Sequence, residues 1–341
     1  MAKHPGLTPP RGSWHGILGA YVVGLAAGGK AERFAFALGD GTVHLATFTD
    51  PEAPDRTKVE AHHGGALCIA ALTNSDGFVS GGDDGKLVRI SPKGEMALLH
   101  DARNKWVETV ATSSGLIAAS VGKTVLLFDE KGQQKAEWGY PSTVSGLTFD
   151  PKGKRLIASH YNGATVRFVA AKTDSPRLLE WKGSHLGVAV SPDGGVVVTS
   201  MQENALHGWR LVDGQHMRMS GYPSKSRSLS FTRTGKWLAT SGAEPIVLWP
   251  FTGGGPMGKE PTELDAGNPG AFCTAVASNP AADLVASGFA DGAVSVADID
   301  TKRAIRLRAS DKDPISALAW SPTGRTLAYG TEGGAVGGFS F

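Results

Sequence analysis

The stretch LTFDPKGKRLIASHYNGATVRF (residues 147–168) returns near the other end of the chain as LAWSPTGRTLAYGTEGGAVGGF (residues 318–339). Each copy is an apolar alternation, a turn, a second apolar run, a second turn and a third run. A side-chain period of two, bounded by Gly, Pro, Asn and Asp, is the signature of short strands. The second turn serves as a ruler. It falls at Asp40-Gly41, Asp84-Gly85, Val121-Gly122, Asn162-Gly163, Glu203-Asn204, Glu244-Pro245, Asp291-Gly292 and Gly333-Gly334, eight positions about forty residues apart. Residues 25–43 align without a gap to 318–336, so the first copy is a full member. A chain with this period folds as repeated supersecondary units, because one unit alone cannot bury its faces.

Most copies carry a fourth, less regular strand after the third, as in EMALLHDA, QKAEWGYP, PRLLEWKG, HMRMSGYP and AIRLRASD. The last copy stops at Phe341 after three strands, and RGSWHGI (11–17) is placed to supply the missing one. The expectation is therefore all-β: a single β-propeller of four-stranded antiparallel blades, eight rather than seven. Its ring would be closed by pairing the N-terminal strand with the C-terminal blade, which leaves no open edge between the ends. Residues 1–10 read as a flexible N-terminus and 11–341 as the propeller. Asp-Gly and Asn-Gly at the second turn suit tight hairpins whose two central residues take positive φ.

Composition agrees. With 46 Gly and 19 Pro in 341 residues the chain is rich in turns, and 41% hydrophobic with 19% charged residues is globular. A net charge of +2 gives no basic stripe for nucleic acid or membrane. GILGAYVVGLAAGG (16–29), following Lys3 and Arg11, imitates a secretory signal but is too short to span a bilayer. The repeat alignment claims it as an inner strand, and the expected location is the cytoplasm.

The pattern of SPDG or DPKG, then LIAS or LATS, then an Asp-Gly turn and an apolar strand resembles the WD-repeat β-propeller family, in a degenerate, bacterial-type form. In that family a turn Asp, a His, a Ser or Thr and a Trp form a buried hydrogen-bond network within a blade. Here the second repeat offers His62 or His63, Ser80 and Asp84, with Ile90 near the Trp position. The fifth offers His185, Ser200 and Trp209, with Glu203 in the turn. The Trp-Asp dipeptide is absent. The resemblance implies a non-enzymatic scaffold for protein–protein interaction.

Residues that could carry chemistry point elsewhere. Cys68 and Cys273 align with Val107, Val144 and Ile315 in the inner strands, so they read as small buried hydrophobes rather than nucleophiles or a disulfide pair. His62, His63 and His185 are the candidate metal ligands of an alternative reading, a histidine-based metal- or small-ligand-binding propeller with a role in metal homeostasis. No close-set Cys and His pairs support it. There is no G-x-S-x-G, G-x-x-x-x-G-K-[ST] or H-E-x-x-H motif. TGGGPMG (252–258) opens no helical pattern, and Asp83, Asp84, Asp129, Glu130, Glu203 and Glu244 sit at turns. The expectation is no enzyme and no cofactor.

Function then belongs to loops on a rigid frame. One rim is built from the connectors that enter each inner strand and from the second turns. It presents Trp106, Tyr140, Tyr161, His185, Tyr222, Arg227 and Phe272 as candidate partner-binding residues, with Lys105, Lys182 and Lys225 beside them. Aromatic and Arg side chains are the usual anchors of interfaces. GYPS occurs at 139–142 and 221–224, two repeats apart, which offers Tyr140 and Tyr222 as a presented pair. The plainer alternative is inherited repeat sequence whose rings pack inside. The partner expected is a protein or peptide bound by a monomer.

Overall fold

The computed structural model describes residues 7–29, 32–48, 55–171, 173 and 175–341. The expected flexible stretch falls partly outside it, since residues 1–6 are not among the described residues. Every regular element among the described residues is a strand, and each ladder is antiparallel. The segment 16–29 does contain an inner strand, Val22–Gly28.

The inner strands are Val22–Gly28, Ala66–Ala71, Val107–Ser113, Gly146–Phe149, the second half of Arg177–Val190, Leu229–Phe231, Cys273–Ser278 and Ile315–Trp320. Each contacts the next in that order, and Ile315–Trp320 also contacts Val22–Gly28. The chain ends meet where Gly12–Ile17 pairs with Ala335–Ser340, from Gly12 opposite Ser340 to Ile17 opposite Ala335.

Hydrogen bonding groups the strands into seven sheets, six of four strands and one of six. The expectation of eight separate blades is corrected by this count. Repeats four and five share one sheet because Arg155–Phe168 and Arg177–Val190 each run for 14 residues and serve two neighbours. Residues 146–149 pair with 156–159, 161–166 with 177–184, and 185–190 with 197–201. Two sequence repeats thus lie in that one sheet.

Asn162 and Gly163 both take positive φ, 66° and 139°, as a two-residue hairpin requires, but the Asp-Gly turns at 40–41 and 84–85 differ. Gly85 takes φ +80° and its N–H bonds the Gly82 carbonyl at 3.3 Å, while Asp84 is not among the residues with positive φ. Gly41 repeats the arrangement on Leu38 at 3.0 Å. This is a type I turn followed by a left-handed glycine, in which only the last residue needs positive φ. A Cβ at Gly85 would lie 2.5 Å from the Arg103 carbonyl oxygen, so both conformation and space demand glycine there.

The core is divided among the interfaces between sheets. Phe78, Ile90 and Val88 pack against Val43, Leu45 and Val59 of the preceding sheet, and Leu87 and Val79 pack toward Ile117 and Phe128 of the next. Every sheet has apolar side chains on both faces, which is why the strands read as near-continuous hydrophobic runs.

Candidate protein-interaction surface

The residues proposed for the rim divide sharply by burial. Trp106, Tyr161 and Phe272 are 57%, 56% and 37% exposed, and Arg227 is exposed as well. Tyr140, Tyr222 and His185 are only 6%, 8% and 0% exposed. The expectation that Tyr140 and Tyr222 present their rings around His185 is therefore corrected. All three belong to the frame.

Their partners explain why. The Tyr222 hydroxyl lies 2.6 Å from Thr240 Oγ1 and accepts the Trp249 indole N–H at 2.6 Å. Thr240 in turn donates to the Val247 carbonyl. Tyrosine here occupies the role that the family gives to histidine, and burial pushes its phenol up to about 12. Tyr140 packs with Val125, Leu127 and Val144, the Arg167 guanidinium lies 5.2 Å from its ring, and burial again raises the phenol to about 12. Proline follows each tyrosine in these connectors, and both rings lie inside.

The histidine networks follow the same logic. His62 Nδ1 meets Asp84 Oδ1 at 3.0 Å, its Nε2 meets Ser80 Oγ at 3.0 Å, and Ser80 donates to the Cys68 carbonyl. Burial lowers the His62 pKa, and the Asp84 charge only partly opposes that. His63 is exposed and contributes its backbone N–H to Asp84. His185 Nδ1 pairs with Thr199 Oγ1 at 2.7 Å rather than with Ser200, and its Nε2 takes the Trp181 carbonyl at 2.9 Å. Ser200 instead accepts the Gly187 N–H. Among the described residues no group of three or more His, Cys, Asp or Glu is placed to hold a metal ion. Both ring nitrogens of His62 and of His185 are engaged by partners within the frame.

Trp181 stacks on His207 with centroids 3.9 Å apart, and Trp138 packs against the cluster that holds Tyr140 and Val144, so both outer tryptophans join neighbouring repeats. Cys273 is buried and Cys68 half-buried, and desolvation raises both thiols to about 12.

One device was not visible in the sequence. Six inner strands begin with a β-bulge, at Val22/Gly24, Ala66/Cys68, Val107/Thr109, His185/Val188, Cys273/Ala275 and Ile315/Ala317. A bulge releases one residue from the ladder and re-aims its side chain. In the third repeat the freed residue is Glu108, and Ser120 Oγ takes the following N–H, from Thr109. In the sixth repeat Ser241 Oγ accepts both the Arg227 and Ser228 N–H groups at 3.1 and 3.0 Å. Arg227 is thus carried ahead of the paired strand, on the rim.

Arg227 and Phe272 line one cavity of about 450 Å³, together with Ser224, Lys225, Pro314 and Glu332. Trp106 and Tyr161 stand on the same kind of connector and turn but do not line it. Tyr21, missed by the sequence reading, is 42% exposed and lies within the fields of Arg227 and Glu332. A larger cavity of about 730 Å³ lies at the opposite end, beside Asn74, Gly115 and Glu130. Its polar groups already satisfy one another: Glu130 accepts the Thr73 and Asn74 N–H groups, and Lys135 pairs with Asp129 at 2.9 Å. We therefore place the candidate surface on the Arg227–Phe272 rim.

Known proteins resemble this chain along most of its length. The family model described as the WD40 domain of anaphase-promoting complex subunit 4 matches residues 276–340. "Autophagy-related protein 16" of Arabidopsis thaliana is 23% identical over 313 residues, covering 87% of this chain and 60% of that protein. "Pre-mRNA-processing factor 19 homolog 2" of the same plant is 21% identical over 202 residues, covering 54% of this chain and 38% of that protein. The chain therefore spans well under two thirds of these relatives. The crystal structure of the computationally designed Ika8 protein superposes with a TM-score of 0.77 at 19% identity, over 98% of this chain and all of that one, which speaks for the fold. Repeat pattern, antiparallel sheets and these matches agree in supporting a WD-repeat β-propeller family.

Proposed function

We propose that the chain is a non-enzymatic scaffold that docks a protein partner on the rim carrying Trp106, Tyr161, Arg227 and Phe272. Propellers of this family generally mediate protein–protein interaction. The observation that carries the site is the division by burial. Four large aromatics, Tyr21 among them, and an arginine stay in solvent on one rim, while Tyr140 and Tyr222 of the same kind of connector are locked inside. Exposed aromatic rings cost free energy in water and give it back on burial by a partner.

Several further points belong to this reading. The pairing of Gly12–Ile17 with Ala335–Ser340 would close the circle of sheets and hold the rim rigid. The chain acts as a monomer in the cytoplasm and takes a protein or peptide rather than nucleic acid or membrane. No helix among the described residues is long and apolar enough to cross a membrane. The shifted groups, such as His62, Tyr222 and the two thiols, are tied up in the frame, so they supply no reactive centre to the rim.

The test is capture of partners from cell extract by the tagged chain, compared with a Trp106→Ala, Tyr161→Ala, Phe272→Ala triple variant. A stoichiometric protein partner that the triple variant loses, with unchanged thermal stability, supports the reading. A partner held equally by both refutes the location.

A further inference from the structure

The rim cavity has a chemistry of its own. Its walls are mainly apolar, with Phe272 and Pro314 on one side, and its volume of about 450 Å³ suits two or three side chains. Two cations line it. Lys225 donates to the neutral Gln202 side chain at 3.0 Å. Arg227 has its backbone N–H held by Ser241 Oγ, while its guanidinium makes no ion pair or hydrogen bond among the described residues. The residues freed at the inner-strand bulges include Val23, Leu67, Glu108, Thr274 and Ser316, none of them a cation, whereas Arg227 precedes the unbulged ladder of Leu229–Phe231. Thr274 and Ser316 spend their hydroxyls on neighbouring inner strands, on the Ile315 and Val22 carbonyls. Arg227 has no such internal task.

An unpaired guanidinium on a fixed backbone beside an aromatic wall is half of a recognition site. Its natural complement is a carboxylate, which the fork binds through two parallel hydrogen bonds. Glu332 lines the same cavity, and its charge opposes a doubly charged group such as phosphate more strongly than a single carboxylate.

We infer that this cavity reads an acidic segment of the partner: an Asp or Glu side chain on Arg227, next to an apolar side chain on Phe272. The inference rests on the docking function proposed above and narrows it to a partner chemistry. The cation gives orientation and the ring gives buried area.

Selection of phage-displayed random heptapeptides on the intact chain tests it. The expected winners carry Asp or Glu beside an apolar residue. Their synthetic versions should bind about ten- to a hundred-fold more weakly to Arg227→Gln and when the acid is replaced by its amide. Their affinity should also fall with added salt. Arg227→Lys should keep part of the binding, which a merely structural role would not predict. Winners without acidic residues, or acidic winners indifferent to Arg227→Gln, overturn the inference. If such winners are instead lost with Trp106→Ala or Tyr161→Ala, the docking function stands and only the acidic reading fails. No selected peptide at all overturns both.

Discussion

Replacing Tyr222 by Phe removes one oxygen and leaves the ring, so it isolates the hydroxyl's place in the frame. That oxygen lies 2.6 Å from Thr240 Oγ1 and 2.6 Å from Trp249 Nε1, all within a buried sheet interface. Thr240 keeps its bond to the Val247 carbonyl, so its hydroxyl is not stranded. The indole N–H has no such second partner, and a buried donor left unsatisfied costs about 1–3 kcal/mol. The loss of stability in urea, followed by tryptophan fluorescence, should fall in that range. It should be constant from pH 6 to 9, because the phenol is pushed up to about 12 and does not ionise there. Adding Thr240→Val should cost less than the sum of the two single changes, since both touch one network. By contrast Trp106→Ala, on the surface, should cost within about 0.5 kcal/mol. A Tyr222→Phe variant as stable as the parent would refute the assignment of this tyrosine to the frame.

Further outcomes follow from the same networks. Burial, and then the neighbouring His216, depresses His207 from 6.5 to about 3. An unfolded chain therefore takes up a proton that the folded chain refuses, and stability is lost as pH falls below 6.5. At 1.36 kcal/mol per pH unit the loss by pH 4 is about 3 kcal/mol, and His207→Phe should flatten the stability profile by that amount. Asp84→Asn should destabilise the second sheet by about 1–3 kcal/mol in denaturant, because the carboxylate accepts from Lys86, His63 and His62 together. The thiols of Cys68 and Cys273, raised to about 12 by burial, should resist Ellman's reagent at pH 8 in the native chain. Both should react at once in guanidinium; fast native labelling of Cys273 would contradict its burial.

Much of the fold was legible because the repeat writes its own punctuation. Turn residues at a forty-residue spacing located every second turn, and the alternation between them located the strands, including Val22–Gly28 inside a segment that mimics a signal. The count of sheets was not legible. It depends on whether Arg155–Phe168 and Arg177–Val190 break between ladders or run through, and the Asn162-Gly163 mark inside the first does not show that two repeats share a sheet. The site was half legible. A tyrosine after glycine and before proline reads the same whether its ring turns outward or inward, and Tyr222 turns inward because Thr240 and Trp249 wait for its hydroxyl. Those partners are 18 and 27 residues away, beyond the reach of local pattern. The Ser241 hydroxyl that holds the Arg227 and Ser228 N–H groups ahead of the paired strand follows no local pattern.

The central claim is that a partner meets the rim of Trp106, Tyr161, Arg227 and Phe272 and not the opposite end of the sheets. Amide hydrogen exchange of the chain with and without its captured partner tests this directly. The account predicts protection confined to the connectors and turns at 102–106, 161–163, 224–227 and 270–272. Protection at 73–77, 114–116 and 129–131 instead, around the larger cavity of the opposite end, would contradict it.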